Sequence, residues 1–250
     1  MTYRSLLVPL DTTPANVART RIAIALARQF DARLEGLYHP AATDLAADFQ
    51  HHCQAAGLAA FEPVADAATP ADALTHHAAC ADLLVMSQPD PSLPDYRSQL
   101  AELETLLLAS ARPVLLIPYT HLDPFRPRHV LVAWDGSRES VRAVSDALPM
   151  LRQAERVTLL HWRQEADGTQ AQQQLDSVAQ WLALQGVQAQ PRDEVTVLAV
   201  GEAMLNAASD HGADLIVMGA YCHARWAERL FGGVSRTLLQ SMTVPVLMSH

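Results

Sequence analysis

The sequence contains no lysine: its 18 basic residues are all arginine. That excludes a P-loop lysine, a lysine Schiff base and a lysine general base together. Cysteine is scarce and scattered, at Cys53, Cys80 and Cys222. Three such residues build no paired framework, so a reducing cytoplasm is the expected setting. No apolar run reaches the roughly 18–20 residues a membrane span needs. Met1 to Arg4 leads straight into Leu6-Leu7-Val8-Pro9-Leu10, too short for the apolar region of a secretory leader, so none is expected. There is no basic run, and 18 bases against 27 acids leave a net charge of −9. Neither nucleic acid nor a membrane surface is therefore an expected partner. Missing too are a G-x-S-x-G elbow, an H-E-x-x-H helix and a C-x-x-C pair. An enzymatic role is not expected.

What the sequence does have is a duplication. Asp82-Leu83-Leu84-Val85-Met86 recurs as Asp214-Leu215-Ile216-Val217-Met218, an offset of 132. Pro113-Val114-Leu115-Leu116 recurs as Pro245-Val246-Leu247-Met248 at the same offset. Leu6-Leu7-Val8-Pro9-Leu10-Asp11 matches Val130-Leu131-Val132-Ala133-Trp134-Asp135 at an offset of 124. A period this long means two copies of a whole domain. Pro118, Pro124 and Pro127 mark the stretch between them, where neither a helix nor a central strand continues. The expected division is a first domain over 1–120, a linker over 121–128 and a second domain over 129–250.

Each half alternates short apolar runs with longer amphipathic stretches. The first predicts strands at Ser5–Leu10, Arg33–Tyr38, Phe61–Val64, Leu83–Met86 and Pro113–Ile117. The second predicts them at His129–Trp134, Arg156–Trp162, Val187–Gln190, Leu215–Met218 and Val244–Met248. Helices fill the intervals. Continuous apolar runs indicate strands covered on both faces. The repeated strand–helix order implies two five-stranded, parallel, doubly wound α/β sheets of Rossmann-like type. Ligands of such sheets sit beyond the carboxyl ends of the strands, where strand order reverses.

One strand-end segment has binding chemistry. From Gly219 to Ser235 the chain carries Cys222, His223, Arg225, Arg229 and the pair Gly232-Gly233 before a helix beginning near Gly233. Bare glycine amides and a helix N-terminus suit an anion. The same glycines also suit a loop cap that lets the helix pack closely, with the arginines on a solvated face. The corresponding loop of the first half, Ser87 to Asp95, has no glycine, three prolines and two aspartates. It is expected not to cradle a triphosphate, which makes the first half a structural or regulatory copy.

With these motifs the chain resembles the universal stress protein family, as a tandem two-domain member of the adenine nucleotide alpha hydrolase-like fold. The resemblance rests on Asp11 and Asp135, the Asp-Leu-(Leu/Ile)-Val-Met strands, the Pro-Val-Leu strands and the 219–235 loop. Nucleotide-binding members carry G-x2-G-x9-G-[ST] after strand four. Here those positions are Gly219, Cys222, Gly232 and Gly233, so the spacing is kept and two residues differ. The resemblance implies ATP or another adenine nucleotide, with no metal beyond nucleotide-associated magnesium. The implied contacts are Ala133, Trp134, Asp135, His161 or Trp162, Gly219, Cys222, His223, Gly232, Gly233 and Val234. Ser235 lies two residues past the expected hydroxyl and is a substitute for it. The implied protein is a cytoplasmic, ligand-sensitive stress-response module. Its halves are expected to pair as an intramolecular pseudo-dimer, and two chains as a homodimer. Two alternatives stand beside this reading. One is a scaffold of the same fold with Trp134, Tyr221 and Cys222 filling the pocket. The other is a weak ATPase using Asp135.

Eleven histidines raise a metal reading. His51-His52-Cys53 and His76-His77-x2-Cys80 are the densest clusters. Helix histidines beside packed cysteines are the favoured interpretation.

Overall fold

The computed structural model describes residues 2–121, 125–164, 169–221 and 233–250. It divides into two compact units, 1–125 and 126–250.

Unit 1 runs β1 (Ser5–Pro9), α1 (Ala15–Phe30), β2 (Arg33–Tyr38), α2 (Thr43–Ala55), β3 (Phe61–Ala65), α3 (Pro70–Ala78), β4 (Leu83–Ser87), α4 (Tyr96–Ala109), β5 (Val114–Ile117). Its strands lie in the order β3-β2-β1-β4-β5 and all pair in parallel. Unit 2 repeats the plan with β6 (His129–Ala133), α5 (Arg138–Leu151), β7 (Arg156–Arg163), α6 (Thr169–Leu184), β8 (Ala189–Val195), α7 (Val200–Asp210), β9 (Leu215–Gly219), α8 (Gly233–Ser241), β10 (Val246–Ser249). Its order is β8-β7-β6-β9-β10, again parallel. Each unit is thus the five-stranded, parallel α/β fold that its apolar runs demand.

The core sits on the central strands. Leu6, Leu7 and Val8 of β1 and Val130, Leu131 and Val132 of β6 are all buried. Parallel strands covered on both faces need this unbroken apolar run. Each fully buried leucine or valine contributes about 1.5–3 kcal/mol of transfer free energy.

The duplicated aspartate has a structural duty. Asp82 accepts from the backbone N–H groups of Arg4 (2.7 Å) and Ser5 (3.1 Å). Asp214 accepts likewise from the N–H of His129 at 3.0 Å. In both copies the residue before strand four anchors the start of strand one. These amides lie at the opening of the strand and need an acceptor.

One strand departs from expectation. The sequence predicts Val187–Gln190, whereas β8 spans Ala189–Val195. Its residues are half-buried or exposed. An edge strand needs no continuous apolar run and tolerates Pro191, so an apolar-run criterion stops too early.

Candidate functional site

Strand order in unit 2 reverses between β6 and β9. The segments that leave those strands, Trp134-Asp135 and Gly219-Ala220-Tyr221, form one strand-end site. The end of β7 adds His161.

Ala133 is buried as the last residue of β6. The backbone N–H of Trp134 continues the ladder by donating to the Leu160 carbonyl at 2.8 Å. Its indole Nε1 is buried and has no acceptor among the described residues. A buried donor left so costs about 1–3 kcal/mol. Asp135 is exposed, and its Oδ1 accepts from the N–H of Ser137 at 2.9 Å. Gly136 closes this turn at φ +76°, a conformation that side chains resist. Ser137 then caps α5, its hydroxyl oxygen accepting from the N–H of Ser140 at 3.0 Å.

Gly219 ends β9 against that same cap. A Cβ here would lie 2.7 Å from both Glu139 C and Ser140 N. The glycine is therefore demanded by packing: the first turn of α5 rests on the end of β9. Bare backbone for an anion is not needed to account for it.

His161 and Trp162 point to opposite sides of β7, as successive strand residues must. Trp162 is buried in the core. His161 is half-buried, and its Nδ1–H donates to Asp193 Oδ1 at 2.9 Å. Arg163 Nε donates to Asp193 Oδ2 at 2.6 Å. Burial pushes the Asp193 carboxyl up. The two hydrogen bonds and their charges outweigh it and hold the group below its ordinary value.

At α8, Gly233 has no atom of the described residues within 4 Å of where a Cβ would stand, and Val234 is half-buried. Ser235 is buried, and its hydroxyl oxygen accepts from the N–H of Tyr221 at 3.0 Å. It ties the end of β9 to α8. Cys222, His223 and Gly232 lie outside the described residues.

The matching place in unit 1 is built differently. Asp11 Oδ1 accepts from the N–H and hydroxyl of Thr13 at 2.8 and 2.5 Å. Its Oδ2 takes Nη2 of Arg19 at 2.7 Å. Arg19 is 3% exposed and also donates to the Pro9 carbonyl, Asn16 Oδ1 and Ser87 Oγ. Sequence reading did not single it out. The signal was there: Arg19 shares the buried stripe of α1 with Ile22, Ala23 and Leu26. At the offset of 124 its counterpart is Ala143. In the loop after β4, the N–H of Gln88 is bonded to Ile117, that of Ser92 to Asp90 Oδ1, and that of Leu93 to the Asp90 carbonyl. The three prolines have none. Little amide capacity faces a phosphate.

The histidine clusters have other partners. His77 Nδ1 meets Glu35 Oε1 at 2.5 Å and its Nε2 meets Asp66 Oδ2 at 3.3 Å. Cys53 is buried, which pushes its thiol up to about 11, while Cys80 is exposed. Among the described residues no group of three or more His, Cys, Asp or Glu is placed to hold a metal ion. No helix among them is long and apolar enough to cross a membrane.

Fold and strand-end site define a tandem Rossmann-like α/β protein. Residues 127–250 match the universal stress protein family. That C-terminal half belongs to the family. No curated protein matches it. Among solved structures, a universal stress protein from Archaeoglobus fulgidus is 17% identical, with a TM-score of 0.78 over 98% of this chain and 95% of its own. A putative universal stress protein from Pseudomonas aeruginosa is 18% identical, with a TM-score of 0.65 over 99% of this chain and 93% of its own. These share the fold. A shorter structure, a universal stress protein in complex with cAMP, is 23% identical over 48% of this chain and all of its own, with a TM-score of 0.41. That ligand is a property of that protein.

Proposed function

We propose that this chain is a ligand-responsive stress protein whose C-terminal unit takes an adenine nucleotide beside Trp134 and Asp135. One observation carries the reading: a buried indole N–H without an acceptor among the described residues adjoins an exposed carboxylate where strand order reverses. A nucleoside supplies the missing partners. Its ring nitrogens accept from the indole, and its ribose hydroxyls donate to Asp135. Phosphates then lie toward Gly233 and Val234, where helix amides and the helix dipole favour negative charge. Gly233 brings an N–H without a hydroxyl, and Ser235 holds Tyr221, so the phosphate contact rests on amides.

This is binding without turnover. The protein works in the cytoplasm, and a homodimer is the assembly we assign. A ligand acts here only through unequal affinity for two states of the site. Titration calorimetry with ATP, ADP, AMP and cAMP tests the proposal. At least one should bind, and Asp135→Ala should weaken it about tenfold, the scale of one lost charge-assisted hydrogen bond. Absence of heat and of thermal shift for all four would leave the scaffold reading, with Trp134 filling its own pocket. Phosphate release above the level of Asp135→Ala would restore the ATPase reading.

A further inference from the structure

Unit 1 carries a cavity that the nucleotide reading does not use. Its volume is about 530 Å³, enough for an organic molecule of moderate size. It lies at the strand ends between α3 and α4. Leu10, Leu37, Leu74, Leu103 and Leu106 line it and are themselves buried, so the floor is apolar.

Acidic side chains outnumber basic ones at this cavity. Arg19 is its sole arginine among the described residues, and that guanidinium is bonded to Asp11, Asn16, Ser87 and the Pro9 carbonyl. Five carboxylates line it: Asp11, Asp66, Asp90, Asp95 and Glu102. Asp11 is matched by Arg19, and Asp66 by His77. The other three bond to neutral groups, namely Ser92, Gln99 and Ser98. Among the described residues none of them has an ion-pair partner. Asp95 and Glu102 are exposed and Asp90 is half-buried, so these carboxylates reach water while the leucines do not.

An anion meets repulsion from these carboxylates. A neutral apolar molecule gains only the floor. We infer that the cavity binds an organic amine, with its apolar body among the leucines and its ammonium at Asp90, Asp95 and Glu102. The site is in the opposite half of the chain from the nucleotide site and does not depend on it. Transfer of apolar surface supplies affinity, and the three carboxylates select the cationic head.

Three probes of one skeleton test this on the full chain by calorimetry: 4-phenylbutylamine, 4-phenylbutan-1-ol and 4-phenylbutyrate. The amine should bind about tenfold more tightly than the alcohol, and the carboxylate should bind least. Added salt should narrow that margin. The surface variant Asp90→Asn/Asp95→Asn/Glu102→Gln should bring the amine to the level of the alcohol and leave the alcohol unchanged. Ala71→Phe should fill the cavity and abolish binding of both. Should Ala71→Phe fail to fold, Gln99→Lys, which adds a cation to the lining, should remove the amine preference alone. Equal affinity for the three probes, no binding of any, or an amine affinity untouched by the triple variant each overturns the proposal.

Discussion

Arg19 and Asp11 face each other at 2.7 Å, the guanidinium 3% exposed and the carboxylate 40%. Burial disfavours the charge on Arg19, and Asp11 opposes that effect. The pair joins α1 to the strand end at the place where unit 2 has Ala143 and a solvent-facing Asp135. In one copy the aspartate is tied to a buried guanidinium; in the other it is exposed.

Asp11→Asn should therefore destabilise the protein by about 1–3 kcal/mol, since a buried guanidinium loses its counter-charge while one face of the partner was already wet. Asp11→Asn/Arg19→Met, which removes both charges, should recover part of that loss. Urea unfolding of the three proteins checks it. An unchanged midpoint for Asp11→Asn would show that the pair is not a stabilising contact.

Asp193 holds the ends of β7 and β8 through His161 and Arg163. Its folded pKa is depressed, so its stabilisation is present above the unfolded value of about 3.9 and is lost as pH falls through the folded one. Asp193→Asn should lower stability near neutrality by about 1–3 kcal/mol and flatten the acid limb below pH ~4. Thermal melts from pH 3 to 7 read both effects. Parallel acid limbs for the two proteins would contradict the assignment.

His129 is buried as the neutral ring. Its Nδ1–H donates to the His211 carbonyl at 2.8 Å, and Nε2 accepts from the Thr158 hydroxyl at 2.9 Å. Burial is the main force lowering its pKa, with Arg156 adding to it, and the His211 carbonyl and Asp214 oppose. The unfolded chain then takes up the proton first. Stability should be full above about pH 6.5 and decline as pH drops below it. His129→Gln should remove that decline while lowering stability at pH 7.5. Comparing urea midpoints at pH 7.5 and 5.5 settles the sign.

Gly219→Ala should place a methyl group 2.7 Å from two backbone atoms of α5. Backbone cannot swing aside as a side chain can, so the change should cost about 1–3 kcal/mol. It should also weaken any nucleotide held beside Asp135, because the displaced turn carries Ser137 and its partner Asp135. Wild-type stability in Gly219→Ala would mean that α5 shifts without resistance.

Much of this molecule was legible along the chain because its signals are local. An unbroken apolar run identifies a strand covered on both faces, and a repeated Asp-Leu-(Leu/Ile)-Val-Met identifies a second copy, without knowledge of any contact. The strand ends that carry Ala133, Trp134, Asp135 and Gly219 follow from that pattern alone. What tertiary structure decided was the use of each residue. Gly219 reads as an anion-cradle glycine in sequence, but the approach of α5 makes it a packing glycine. Ser235 reads as a phosphate hydroxyl, but folding brings Tyr221 onto it. His161 and Trp162 are neighbours in the chain, and only the pleat buries one and turns the other to Asp193. Arg19 and the carboxylates of Asp90, Asp95 and Glu102 acquire meaning only once α1 and α4 lie beside the same strand ends. Period and composition are written residue by residue, whereas a buried charge or a cavity exists only between segments that folding has brought together.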